Sequence, residues 1–473
     1  MVVQHNLRAM NANRMLGITT GVLSKSSEKL SSGYKINRAA DDAAGLAISE
    51  KMRKQMRGLT QASTNAEDGI SAVQTAEGAL TEVHDMLQRM NELAVKAANG
   101  TNALSDRQTI QDEVDQLLTE IDRVAETTKF NEIYLLKGDA NRVEKYLQAK
   151  DAGIDGQLQD GATTATFTMN ALQFGDSISI GGKQYQIGLV GTDGVDAAKA
   201  IVDSMASGEL ITIDGVQYTL TDNAAEENAD KNILTKDKLQ GKIVEQSSVL
   251  YKGKTYHVMK DDVSVNGDKK ADDVDDVDAS VITAAKAYSM IRQELTLANS
   301  IGAKTGGNAE VADVVMDDQT NPTKAIFTFD KGKYDVQEAL NFNLHVGADA
   351  DMTNKIGVTI DALDTRGLGI NGLNVKDSTG AYATYAIDSI AEAIAHVSQQ
   401  RSMIGAIQNR LEHTINNLDN VVENTTAAES QIRDTDMATE MVKYSNANIL
   451  QQAGQSMLAQ SNQANQGVLS LLQ

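Results

Sequence analysis

Residues 445–473 read SNANILQQAGQSMLAQSNQANQGVLSLLQ and contain no Asp, Glu, Lys, Arg or His. Within them Ala447, Leu450, Gly454, Met457, Ser461, Ala464, Val468 and Leu471 recur at alternating spacings of three and four, the period of one helix face. A solvated helix carries charge on its outer side, so a long helix of small, amide and aliphatic side chains is expected to be covered all round by neighbours. The opposite end of the chain has the same texture. Val2, Ala9, Leu16, Leu23 and Leu30 recur every seven residues as a helical seam, until Ser31, Ser32 and Gly33 interrupt it. Both ends are therefore predicted to be helices that require helices as partners.

Moving inward, Asp41 and Asp42 precede Ala43 and Ala44 as a helix start. From Val73 the alternation continues unbroken through Ala76, Leu80, Val83, Leu87, Met90, Ala94 and Ala97. Asn99, Gly100, Thr101 and Asn102 form a turn, after which Ile110, Val114, Leu117, Ile121 and Val124 resume the pattern, which predicts a helical hairpin. Val397, Ile404, Ile407, Leu411, Leu418 and Ile432 make a matching stripe ahead of the C-terminal run. Residues 138–340 differ in texture. Alternating runs with two-residue glycine turns predict hairpins at Ile178 to Ile187, Ile211 to Leu220 and Leu250 to Val258, the first two resembling a degenerate repeat. Residues 197–205 and 279–298 read as helices. The expected fold is mainly α at the termini, with long antiparallel coiled-coil-like helices and a helical rod, and a central α+β insert in an elongated multidomain subunit.

Composition narrows the function. The chain has 43 basic against 65 acidic residues, a formal charge of -22, a field that repels nucleic acid and anionic membranes. No stretch of eighteen apolar residues occurs, so no membrane insertion is expected. The N-terminal residues lack a basic region followed by an apolar run, so export is expected without a cleaved signal peptide. The absence of Cys excludes disulfides, thiol chemistry and Cys-ligated metal. The six histidines, His5, His84, His257, His345, His396 and His413, are scattered and form no His-Glu-x-x-His motif. Asp262, Ser264, Asn266, Gly267, Asp268 and Asp273 are spaced like a calcium loop, but the closing Glu and flanking helices are missing, which favours a solvated acidic turn. Asp272, Asp273, Asp275, Asp276 and Asp278 read as an exposed face ahead of the helix expected from residue 279, where negative charge complements the helix N-terminus. No catalytic residue, cofactor or metal site is expected, and the chain is read as a self-assembling structural protein rather than an enzyme.

Several of these stretches carry a family likeness. LSSGYKINRAADDAAGLAI at 30–48, QRMNELAV at 88–95, EIDR at 120–123, Phe130 with Asn131, FNLHVGA at 342–348, and residues 427–472 closely resemble bacterial flagellin, the filament subunit of the flagellum. The resemblance implies three layers. Residues 1–40 with 437–473 would form a terminal coiled-coil core domain, 41–165 with 341–436 a helical rod domain with a short β region, and 166–340 a variable, surface-exposed α+β insert. It implies an extracellular homopolymer for motility, with the flagellar export apparatus, an export chaperone and a cap protein as partners. Polymerisation would use a heterologous, non-closing interface. The stripe Leu16, Leu23 and Leu30 is expected to meet Leu450, Met457, Val468 and Leu471 of its own and neighbouring chains. Gln88, Arg89, Leu93 and Glu113 match the positions through which similar flagellins engage the host's Toll-like receptor 5. Pattern alone reads Arg89 and Glu113 as solvated charges, with Arg89 and Leu93 four residues apart on one helix face. Two alternatives share the terminal helices: a flagellar junction protein, and an adhesive surface protein whose insert binds a host glycan or mucin.

Overall fold

The computed structural model describes residues 6–260, 272–318 and 322–471, with the backbone alone described for 465–471. Eight α-helices occur among the described residues: α1 Leu7–Ser32, α2 Ala43–Ala98, α3 Leu104–Thr127, α4 Gly191–Asp203, α5 Lys236–Gln240, α6 Ala284–Ala298, α7 Ala381–Arg433 and α8 Met437–Leu471. The chain forms two compact units. One comprises Met1–Val73, Phe342–Val358 and Gly405–Gln473, the other Gln74–Asn341 and Thr359–Ile404.

In the first unit α1 ends where the sequence predicts. Gly33 takes the left-handed conformation at φ 76° and its N–H donates to the Lys29 carbonyl, closing the last turn. The early part of α2 packs on the later part of α7 and on the returning segment Phe342–Val358. Ala66, Val346, Ile356 and Leu411 are buried together, with Ile70, Leu344, Ile407 and Ile415 around them. A second cluster joins Leu59, Ala62 and Leu418 with Ala348, Val421 and Val422. Two glycines inside α2 permit this contact. A Cβ on Gly69 would stand 2.2 Å from Leu344 Cδ1, and one on Gly58 would stand 2.9 Å from Ala348 Cβ. Close approach of the strand offsets the roughly 1 kcal/mol that a mid-helix glycine costs relative to alanine.

In the second unit the predicted stripe of α2 is inside: Ala76, Leu80, Val83, Leu87, Met90, Ala94 and Ala97 are all fully buried. The hairpin turn follows, and α3 returns with Ile110, Val114 and Ile121 buried as expected. Its remaining core positions are Leu118 and Ala125 rather than Leu117 and Val124, which are half-buried. A straight helix drifts about 20° per heptad from a strict seven-residue repeat. The segment after the Lys355–Ile360 strand covers the flank so exposed. Gln111 donates to the Leu373 carbonyl and accepts from the Val375 N–H, and the Asp122 carboxylate accepts from the Thr365 N–H and hydroxyl.

The central region is strand-rich. All three predicted hairpins form, each with two residues at positive φ between its strands: Gly181 and Gly182, Asp214 and Gly215, Lys252 and Gly253. The hairpin of Ser177–Ile180 and Lys183–Ile187 pairs in parallel with Val281–Ile282, followed by α6; that of Leu210–Ile213 and Val216–Leu220 pairs in parallel with Ile233–Leu234, followed by α5. The degenerate repeat is thus hairpin, parallel strand and helix. This arrangement corrects one boundary. The helix expected from residue 279 starts only at Ala284, because Val281–Ile282 is drawn into the sheet and Thr283 caps the helix with its side chain. The acidic run therefore does not abut that helix's first turn, which has no acidic residue. A separate sheet centred on Thr164–Asn170 and Lys324–Asp330 packs Phe167, Phe327 and Phe329 against α6 and against Ala381 and Tyr385 of α7.

Candidate assembly surface and a polar cluster on the helical hairpin

The terminal helices pair antiparallel. Asn6 caps α1 by accepting from the Ala9 N–H at 3.0 Å, and its amide nitrogen donates to the Ser461 carbonyl at 3.4 Å. Near the other end of the pair, the buried Ser26 hydroxyl donates to Glu440 Oε1 at 2.7 Å. That hydrogen bond, followed by the Lys443 ammonium, holds the Glu440 carboxyl below its ordinary value. The side of α1 turned to α8 carries Ala9, Ala12, Leu16, Thr19, Leu23, Ser26 and Leu30, all half-buried except the buried Ser26. The facing side of α8 carries Tyr444, Ala447, Gln451, Gly454, Leu458 and Ser461. At Gly454 a Cβ would lie 3.3 Å from Leu16 Cδ1, so the missing side chain lets the two helices come close.

Within the subunit the leucine stripe therefore meets the small residues of α8. Leu450 and Met457 turn the other way and are 61% and 64% exposed. The side chains of Val468 and Leu471 lie outside the described residues. Outward-facing with Leu450 and Met457 are Leu7, Met10, Met15, Ile18 and Val22 of α1 and Met437, Met441, Val442 and Ile449 of α8. The pair thus has a satisfied inner seam and a second, unsatisfied apolar set on both helices. Exposed apolar side chains flank the seam on both helices and make the pair a candidate interaction surface.

Beside the helix pair the two chain crossings are clasped together. The Lys35 N–H donates to the Arg433 carbonyl and the Thr435 N–H to the Gly33 carbonyl at 2.9 Å. The Arg433 guanidinium lies 4.7 Å from the Tyr34 ring centroid and bonds Glu50 at 2.9 Å. Gly33 stands out in the sequence as the break in the seam, but the pairing of Ser26 with Glu440 and of Arg433 with Tyr34 and Glu50 does not. The available signal was a polar residue, Ser26, at a seam position between Leu23 and Leu30.

On the helical hairpin of the second unit, Arg89 Nε and a terminal guanidinium nitrogen both donate to Glu113 Oε1, at 3.0 and 2.9 Å, and its other terminal nitrogen donates to Glu92 at 3.0 Å. These bonds to Glu113 and then Glu92 raise the already high Arg89 pKa. All three side chains remain substantially exposed. Gln88 is exposed beside them and pairs with His84 at 2.9 Å. Leu93 is placed differently. It is buried at 2% exposure, so Gln88, Arg89 and Glu113 share a surface that the Leu93 side chain supports from within. Nearby, buried Arg107 donates to the carbonyls of Ala97, Asp377 and Asn99, locking the hairpin turn. Of the calcium-like residues, all but Asp273 lie outside the described residues; Asp273 accepts at its carbonyl from the Thr283 N–H.

Two family models match the chain: the bacterial flagellin N-terminal helical region over residues 3–141 and the bacterial flagellin C-terminal helical region over residues 387–472. A flagellin from Clostridium tyrobutyricum is 38% identical over 98% of this chain and 100% of its own length. One from Halalkalibacterium halodurans is 34% identical over 100% of both chains. Flagellin B of Vibrio anguillarum is 33% identical over 99% of each.

Proposed function

This chain belongs to the bacterial flagellin family, and from that premise we propose that it drives motility by polymerising through the outward apolar faces of α1 and α8. As a flagellin it is a structural subunit of the flagellar filament, not an enzyme. Residues 1–40 and 437–473 form the inner core of the polymer, 41–165 with 341–436 the rod, and 166–340 the outer surface. The observation that carries this reading is the apolar set that remains uncovered once α1 and α8 have paired. Burying each such side chain fully contributes about 1.5–3 kcal/mol. Leu450 and Met457, with Val468 and Leu471, supply the C-terminal part of the seam to neighbouring copies, while Leu16, Leu23 and Leu30 hold the pair within each copy. The flagellar export apparatus, an export chaperone and the cap protein are its partners in this reading. Deleting residues 445–473 is expected to abolish filaments while the strand-rich region stays folded. Filaments seen by electron microscopy after that deletion would refute the reading.

A second surface serves recognition by the host's Toll-like receptor 5. Gln88, Arg89 and Glu113 are its contact residues and Leu93 holds their helix in place. The support is the residue match together with the Arg89–Glu113 pair, which forms within the chain itself. Reporter cells exposed to the Arg89→Ala variant are expected to respond weakly; a wild-type response would remove the assignment.

A further inference from the structure

Five methionines lie on the two terminal helices with their side chains open: Met10 and Met15 on α1, and Met437, Met441 and Met457 on α8, each between 48% and 64% exposed. The distribution of residue types is uneven. The inner seam joins Leu16, Leu23 and Leu30 to Tyr444, Gln451, Leu458 and small residues of α8, whereas the exposed sides of the pair carry thioethers alongside aliphatic side chains. Elsewhere Met90, Met169, Met205 and Met259 are buried, while Met352 and Met403, away from the terminal helices, are 74% and 40% exposed. An accessible thioether sulfur attacks one oxygen of hydrogen peroxide; the O–O bond breaks, the sulfur is oxidised by two electrons to the sulfoxide, the peroxide is reduced, and water leaves. The product replaces a flexible apolar group by a polar acceptor, and a polar group costs free energy to bury without a donor.

We propose that Met10, Met15, Met437, Met441 and Met457 form a peroxide-sensitive modification site through which oxidation of the free subunit blocks its incorporation into the filament. The proposal rests on the assembly reading above. It adds that the vulnerable state is the unassembled chain, since the surface that assembly would cover is the surface that carries the sulfur. Oxidation is reversible by methionine sulfoxide reductases, so the block is a switch rather than a permanent lesion.

The test treats purified full-length subunit with hydrogen peroxide, maps added oxygen by peptide mass spectrometry, and then measures the critical concentration for assembly. The five outward methionines are expected to gain oxygen before Met90, Met169, Met205 and Met259, and the critical concentration to rise at least about tenfold. Repair by reductases of both stereospecificities should restore it, and a variant with all five changed to leucine (M10L, M15L, M437L, M441L, M457L) should assemble equally with or without peroxide. Oxidation of the five no faster than of the buried four would overturn the proposal. So would unchanged assembly of subunits carrying all five sulfoxides. Should the leucine variant fail to assemble at all, an M352L/M403L variant decides: it keeps the five and should still lose assembly on peroxide treatment, and assembly that peroxide no longer affects would overturn the proposal. Absence of filaments from untreated subunit would instead overturn the assembly reading, and the modification map would still report which sulfurs react.

Discussion

Lowering the concentration of subunit below the point at which filaments form should cost the chain the helicity of both ends. The perturbation is depolymerisation, and its size follows from the paired helices. In α1 the one buried residue is Ser26, and the described side chains of α8 add only Glu440 and Ala447. Helices rich in Gln, Asn, Ser and Thr are marginal without tertiary packing. Eleven large apolar side chains on the pair remain 47% to 69% exposed. Covering what is left of them on assembly contributes about 10–20 kcal/mol per subunit, comparable to an association cost of about 4–15 kcal/mol. The 26 residues of α1 and 35 of α8 make up about one residue in eight of the chain. Far-ultraviolet circular dichroism of free and assembled protein at matched mass concentration should therefore differ by that fraction of the chain turning helical. Equal ellipticity in both states would refute the coupling of folding to assembly, and would mean that the thin inner seam suffices.

Two further outcomes are expected. Glu440 is held below its ordinary pKa of 4.5 by the Ser26 hydroxyl and then Lys443; a depressed carboxylate contributes stability that is complete above pH 4.5 and is lost as pH falls through the lower native value. The critical concentration of the wild type should accordingly rise more steeply below pH 4.5 than that of Glu440→Gln, and parallel acid profiles would contradict the role given to this pair. Replacing Arg107 by alanine leaves the Ala97, Asn99 and Asp377 carbonyls without their shared donor. That change should lower stability by about 2–4 kcal/mol in denaturant unfolding followed by a probe on the helical hairpin, and an unshifted midpoint would show that water replaces the guanidinium.

Legibility in the sequence followed the strength of the local period. The stripe from Val73 to Ala97 could be read directly because every member faces one core. The three hairpins were equally plain, since Gly-Gly, Asp-Gly and Lys-Gly at the turns supply the positive φ that a tight two-residue connection requires. Where two partners compete for one helix, reading failed by one position. Leu118 and Ala125 displaced Leu117 and Val124 because α3 also packs on the segment containing Thr365, Leu373 and Val375, more than two hundred residues away. The late start of α6 has a similar cause: a parallel strand pairing across nearly a hundred residues outweighed local helix propensity at Val281 and Ile282. In the terminal pair, the three-and-four spacing put Leu450 and Met457 on a contact stripe with Ala447 and Gly454. Spacing alone does not say whether a stripe faces the same chain or another one. The small residues resolve it: Ala447, Gly454 and Ser461 lie on the side turned to α1, and at Gly454 the missing side chain allows the close approach to Leu16.

In the proposed assembly, Leu450 and Met457, exposed in the subunit, become buried between subunits. Electron microscopy of the purified Leu450→Lys/Met457→Lys variant beside the wild type under assembly conditions tests it most directly. Long homopolymers are expected from the wild type and none from the variant, with both proteins showing the same thermal unfolding as free subunits; filaments of normal length from the variant would overturn the assembly surface.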